Sequence, residues 1–213
     1  LHAAWRSAGD GPDGPPFEEW LEAERRLLVH ASGESRRLPA YAPCGKCMLP
    51  LPPGAGDRAT RWDPVLLDRQ RAVYEEIFRF APPGCRLMIA CGDVLLRFEG
   101  GLPPLPAADV LLVGLEADPE EAQRHGVFVC APGRPSKLVR FLQKPPPADL
   151  EPFLRSHPVF LDTGAWLLSR RALDVLLRLC GWDARAGEFA GGCIRPHDLY
   201  GRFAPLLTDD PAT

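Results

Sequence analysis

Short apolar runs, each bounded by glycine, proline or polar turn residues, alternate along this chain with stretches of helical period. That alternation decides the class of fold. Residues 26–31, 86–91, 109–115 and 159–168 are strand-length and largely apolar. Such runs fit strands buried on both faces. Between the first two, Leu66, Val73, Ile77 and Phe80 recur at near-helical spacing and form one apolar face. We predict that this helix starts at Pro64 with Asp63 as its N-cap and ends at Pro82-Pro83-Gly84. A second helix is expected from the cap Ser169 through Leu179, with Gly181 as its stop. Residues 17–24 and 119–123 fit short helices, and residues 127–129 and 138–142 fit a strand pair around Pro132-Gly133.

Strands alternating with helices predict a layered α/β sheet, mostly parallel, with ligands bound outside the carboxyl ends of the strands. Residues 1–22 read as a linker or N-terminal arm because the first sixteen are rich in Gly, Pro and Asp; residues 23–213 read as one domain. The chain opens on Leu1 rather than methionine, and we expect a piece of a longer polypeptide.

Net charge is −3, so no global field recruits nucleic acid or an anionic membrane, and any anion must be gripped locally. No apolar run is long enough to span a bilayer, and a cytoplasmic setting is expected. The 7 cysteines are odd in number, and Cys85, Cys91 and Cys130 lie in strand-like runs, which fits reduced thiols better than a disulfide framework. Cys44 and Cys47 form a C-x-x-C pair, but no second pair follows at zinc-ligand spacing. His2, His30, His125, His157 and His197 are likewise scattered, which disfavours a metal hydrolase.

Two strand ends carry chemistry. After residues 26–31 comes a loop with Gly33, Ser35, Arg36 and Arg37, then Lys46. Small residues let backbone N–H groups approach polyphosphate oxygens, while arginines add forked hydrogen bonds and a lysine adds a point charge. The loop lacks the Gly-Lys-Ser/Thr of a Walker-type P-loop. After residues 86–91 comes Gly92-Asp93, a carboxylate placed to hold Mg²⁺ against phosphates. Further on, Gln143-Lys144-Pro145 ends a strand, and Asp162-Thr163-Gly164 opens a buried one and could line a sugar pocket; Trp166 reads as core.

In order and rough spacing, these motifs resemble the sugar nucleotidyltransferase superfamily. The loop from Ser32 to Leu38 with Gly45-Lys46 is similar to its phosphate loop and following Pro-Lys. Gly92-Asp93 looks like its Mg²⁺-binding Gly-Asp, His125-Gly126-Val127-Phe128 leading to Gln143-Lys144-Pro145 looks like its hairpin, and Asp162 to Trp166 looks like its Asn-Ala-Gly segment. The wording of residues 29–37, Leu102 to Pro106, and Asp198-Leu199-Tyr200 resembles the fucose branch: GDP-fucose pyrophosphorylase and the fused L-fucokinase/GDP-fucose pyrophosphorylase.

The resemblance implies a Rossmann-like nucleotidyltransferase core with helices on both faces. It implies transfer from GTP to fucose-1-phosphate, giving GDP-fucose and pyrophosphate, with Mg²⁺ as cofactor. Arg37, Lys46 and Asp93 would be catalytic, with Asp93 holding the metal. Gly33, Ser35, Arg36 and Gly92 would bind nucleotide; Lys144, Asp162, Thr163 and Gly164 would bind the sugar phosphate. A second metal-binding carboxylate is not evident, and both Asp162 and Asp198 stay open. The resemblance also implies a parent protein with a fused C-terminal β-helix and a kinase domain. Kinase activity is not expected on this segment, which lacks that domain's glycine-rich loop. A non-catalytic nucleotide-binding regulatory domain is the alternative.

Overall fold

A computed structural model describes residues 1–7, 14–31, 45–51, 65–116, 118–196 and 198–208. Its centre is a six-stranded sheet of β1 (Arg26–His30), β2 (Cys85–Cys91), β3 (Val110–Glu116), β4 (Gly126–Ala131), β5 (Arg134–Gln143) and β6 (Val159–Ser169). Around it lie α1 (His2–Ser7), α2 (Phe17–Ala23), α3 (Leu66–Phe80), α4 (Pro119–Ala122), α5 (Pro147–Leu154) and α6 (Arg170–Leu179). The small ribbon β7 (Trp182–Asp183) and β8 (Glu188–Phe189) follows.

The central strands are apolar throughout because both faces are covered. On β2, Leu87 and Ile89 face one core with Trp166 and Leu168 of β6, Phe17 and Leu21 of α2, and Leu173 and Leu177 of α6. Met88 and Ala90 face the other, with Leu167 of β6 and Tyr74 and Ile77 of α3. This alternation is the two-residue period of a strand. It places helices on both faces, as expected.

The sheet is mixed, but its balance is antiparallel. Among the described strands only β1 and β2 pair in parallel, joined through α3. β6 runs antiparallel to β2, β3 and β4, and β4 and β5 form an antiparallel hairpin. The expectation of a mostly parallel sheet treated every helix as a crossover between neighbours. Instead β6 lies between β2 and β3 and keeps those two like-directed strands apart.

β6 also forks the sheet. One of its edges pairs with β3 nearly throughout; the other pairs with β4 at residues 159–161 and with β2 at residues 166–169. Residues 162–165 lie between these two partners. There the register against β3 slips, Gly164 takes φ +72°, and the Thr163 hydroxyl donates to the Val113 carbonyl at 2.7 Å.

Three local expectations change. The long helix begins at Leu66, where the Asp68 carboxylate accepts from the Val65 N–H at 3.0 Å; Asp63 and Pro64 lie outside the described residues. α5 went unread because Pro147 and Pro152 punctuate it, yet Pro147 sits in the first turn, where no N–H partner is needed. The division at residue 22 does not match the packing. Phe17 and Leu21 are core, and Arg170 of α6 pairs with Glu18 and Glu22 of α2. The α/β unit therefore includes α2. Ser169 does cap α6, accepting from the Ala172 N–H at 3.2 Å.

Candidate active site

The tip of β1 organises the site. The Ala31 carbonyl accepts from the Lys46 N–H at 3.0 Å, and the His30 carbonyl accepts from the Gly92 N–H at 3.1 Å. Two glycines make this approach feasible. Gly45 has φ +75°, and a Cβ there would meet the Ala31 oxygen at 2.5 Å; a Cβ on Gly92 would meet the His30 oxygen at 2.7 Å. The dipeptides Gly45-Lys46 and Gly92-Asp93 thus dock side by side on adjacent parallel strand ends. Their side chains meet: Lys46 Nζ lies 2.5 Å from Asp93 Oδ2, and both side chains are about half exposed. An ion pair this open contributes only about 0–1 kcal/mol to stability. Its consequence is positional: a cation and a carboxylate stand side by side at the tips of two parallel strands.

The fork of β6 lies next to this pair, against Cys91. Asp162 Oδ1 accepts from the Gly164 N–H at 2.8 Å and from Trp166 Nε1 at 3.1 Å. Burial is the main cause that pushes the Asp162 carboxyl above the usual carboxylate range, partly offset by those two hydrogen bonds. Trp166 is core, 1% exposed, and also orients this carboxylate. Cys91, at the end of β2, joins the two halves. Its Cβ would lie 2.8 Å from a Cβ on Gly164, and its thiol is 4.0 Å from the Tyr200 hydroxyl. Burial first, then Asp162 and Asp93, push the Cys91 thiol up. Tyr200 is raised by burial first, with Cys91, Asp162 and Asp93 adding to it. Both carboxylates therefore act on the same thiol and phenol.

Other expected site residues fall as follows. Lys144 is exposed, has φ +47°, and donates its N–H to the His125 carbonyl at 2.9 Å just past β5. It lies on the fork side, because a Cβ on Gly126 would sit 3.0 Å from Gln143 Oε1 and 3.1 Å from Asp162 Cβ. The Thr163 hydroxyl donates to the Val113 carbonyl, so Thr163 ties the fork to β3. Asp198 accepts from the N–H groups of Tyr200 and Gly201 at 3.0 and 2.9 Å, and so caps the turn that carries Tyr200. Of the two carboxylates left open, Asp162 acts together with Asp93 on the Cys91 thiol. Gly33, Ser35, Arg36 and Arg37 lie outside the described residues, as does Cys44; Cys47 is a buried free thiol beneath Gly92.

Sequence reasoning missed Gln70, Tyr74 and Cys91. Gln70 gave no signal, being one polar residue among many on α3, yet it is 1% exposed on the inner face of that helix.

The frame is that of an α/β protein with a lysine–carboxylate pair at the ends of two parallel strands, beside a forked strand. The chain belongs to the fucose pyrophosphorylase family: residues 18–193 match the Fucose pyrophosphorylase domain. It is 41% identical over 199 residues to the L-fucokinase/L-fucose-1-P guanylyltransferase of Bacteroides fragilis, covering 93% of this chain and 20% of that protein. It is 32% identical over 172 residues to the Bifunctional fucokinase/GDP-fucose pyrophosphorylase of Arabidopsis thaliana, covering 75% of this chain and 16% of that protein. The chain thus spans a fifth or less of the length of these relatives. Among the described residues, no helix is long and apolar enough to cross a membrane.

Proposed function

We propose that this chain joins GTP and fucose-1-phosphate to give GDP-fucose and pyrophosphate. Family membership supports the reaction class, and the names of both relatives include it. The observation that carries the site is the contact of Lys46 with Asp93 at the tips of β1 and β2.

The reaction is an in-line displacement. An oxygen of the sugar phosphate attacks the α-phosphorus of GTP, the bond from that phosphorus to the bridging oxygen breaks, and pyrophosphate leaves. Protein need supply little covalent chemistry, so positioning and charge neutralisation dominate. Lys46, with Arg36 and Arg37 of the preceding loop, would neutralise the triphosphate. Gly33, Ser35 and Gly92 would let backbone approach it. Lys144 would hold the sugar phosphate from the hairpin end. The Asp162 Oδ1 is taken by two donors, which leaves Oδ2 toward the sugar or a metal.

Magnesium suits the donor set. Mg²⁺ typically takes one or two protein carboxylates, with phosphates and water completing its shell. Asp93 and Asp162 fit that role. When bound, Mg²⁺ would offset charge on the triphosphate. Free thiols among the described cysteines support a reducing, cytoplasmic setting.

Pyrophosphate release assayed with GTP, Mg²⁺ and fucose-1-phosphate tests this reading. Lys46→Ala and Asp93→Ala should each abolish turnover with the fold intact by circular dichroism. Wild-type rates in either would remove the site assignment. GTP binding without turnover by the unaltered chain would instead favour a regulatory nucleotide-binding domain.

A further inference from the structure

The Asp93 turn is held from behind by a device that no motif records. Gln70 and Tyr74 lie one helical turn apart on α3, and both are buried, at 1% and 2% exposure. Gln70 Nε2 donates to the Cys91 carbonyl at 3.3 Å and also to the Val94 carbonyl. The Tyr74 hydroxyl donates to the same Cys91 carbonyl at 3.1 Å. These three hydrogen bonds bracket the dipeptide Gly92-Asp93, on one carbonyl before it and one after it. On the opposite side the Gly92 N–H is tied to β1. The turn is therefore clamped between α3 and β1, and the Asp93 carboxylate is aimed at Lys46.

We propose that Gln70 and Tyr74 are positioning residues that fix the Asp93 carboxylate for metal and triphosphate binding. The inference rests on the reading of Asp93 given above. Two features separate the clamp from ordinary core packing. Among the described residues Gln70 Oε1 is buried without a hydrogen-bond partner, a desolvation cost that an apolar side chain of similar size would not carry. A polar residue kept there on packing grounds alone has no advantage, whereas its two amide donations need it. The Tyr74 hydroxyl, for its part, is directed at the same Cys91 carbonyl that Gln70 holds, so two buried polar groups converge on one backbone atom of the turn.

The test uses Gln70→Leu, Tyr74→Phe, their double variant, and Asp93→Asn alone and combined with each, in the intact protein. Calorimetry measures the Mg²⁺ concentration needed for half-maximal GTP binding, and kinetics separates kcat from KM for fucose-1-phosphate. Residues that orient a metal-binding carboxylate typically cost about 10–100-fold in metal affinity or activity when lost. That shift is expected in the Mg²⁺ requirement and in kcat for Gln70→Leu, with an unchanged KM for fucose-1-phosphate and near-normal melting. Tyr74→Phe removes one oxygen only and keeps the test valid should the double variant fold poorly. On the Asp93→Asn background, neither substitution should cause further loss of Mg²⁺-dependent binding. Normal Mg²⁺ dependence in Tyr74→Phe and Gln70→Leu, beside a dead Asp93→Asn, would overturn the clamp and spare the site. A fully active Asp93→Asn would overturn both.

Discussion

Gly92→Ala puts the convergence of the two strand tips under direct strain. The added Cβ would sit 2.7 Å from the His30 oxygen, 3.1 Å from Ala31 Cα and 3.2 Å from Cys47 Cβ. Ordinary contact begins near 3.4 Å, so the turn must retreat by about 0.7 Å from the His30 oxygen alone. Two of the three obstructing atoms are backbone and cannot rotate away. Overpacking of this kind costs about 1–3 kcal/mol. At about 2–4 °C per kcal/mol for a domain of this size, Tm should fall by about 2–12 °C. The functional loss should be larger, because a misplacement of about 1 Å can cost on the order of 100-fold in rate. Gly84→Ala is the control: nothing lies within 4 Å of its Cβ, and its effect should stay within about 0.5 kcal/mol. Pyrophosphate release and differential scanning fluorimetry read both variants. Wild-type kcat in Gly92→Ala with an unchanged Tm would show that the turn does not press on β1 and that Asp93 is not held by that contact.

Asp162→Asn should raise stability at neutral pH while lowering turnover, since burial disfavours the ionised carboxylate. The folded group holds its proton more tightly than the unfolded one. The cost of ionisation is therefore absent below the unfolded value of about 3.9, grows as pH rises toward the folded value, and is complete above it. A Tm difference between variant and wild type that ignores pH would contradict this. Ser169→Ala removes the cap of α6 and should cost about 1 kcal/mol, read as a Tm loss of about 2–4 °C. Burial pushes the Cys91 thiol up, so iodoacetamide at pH 7.5 should modify exposed Cys193 well before Cys91. Equal rates by peptide mass mapping would refute the burial of Cys91.

Much of the site was legible because its main elements are short and local. A glycine followed by a charged residue at the end of an apolar run marks a strand tip wherever the strand lies, and Asp93 is such a residue; Lys46 was legible only as the cation that closes the loop after β1. The thiol and phenol beside them were not legible in that way. Cys91 reads as one more apolar strand residue until Tyr200, 109 positions later, is brought against it. Trp166 was readable as core, but not as the donor that orients Asp162. Thr163 looked like a sugar ligand because polar residues at a strand entrance often face solvent; the slip in register at Gly164 turns its hydroxyl onto Val113 instead.

From its sequence alone this protein declares its central strands and the helices α2, α3 and α6, and that the central strands are buried on both faces, because residue periodicity records burial directly. Which strand lies beside which was decided only in three dimensions. Hydrogen-bonded edges are formed by backbone, which is the same in every residue, so the pattern of side chains carries no label for the neighbour. The insertion of β6 between β2 and β3, and the fork that brings Asp162 to the same thiol that Asp93 acts on, come from that long-range pairing.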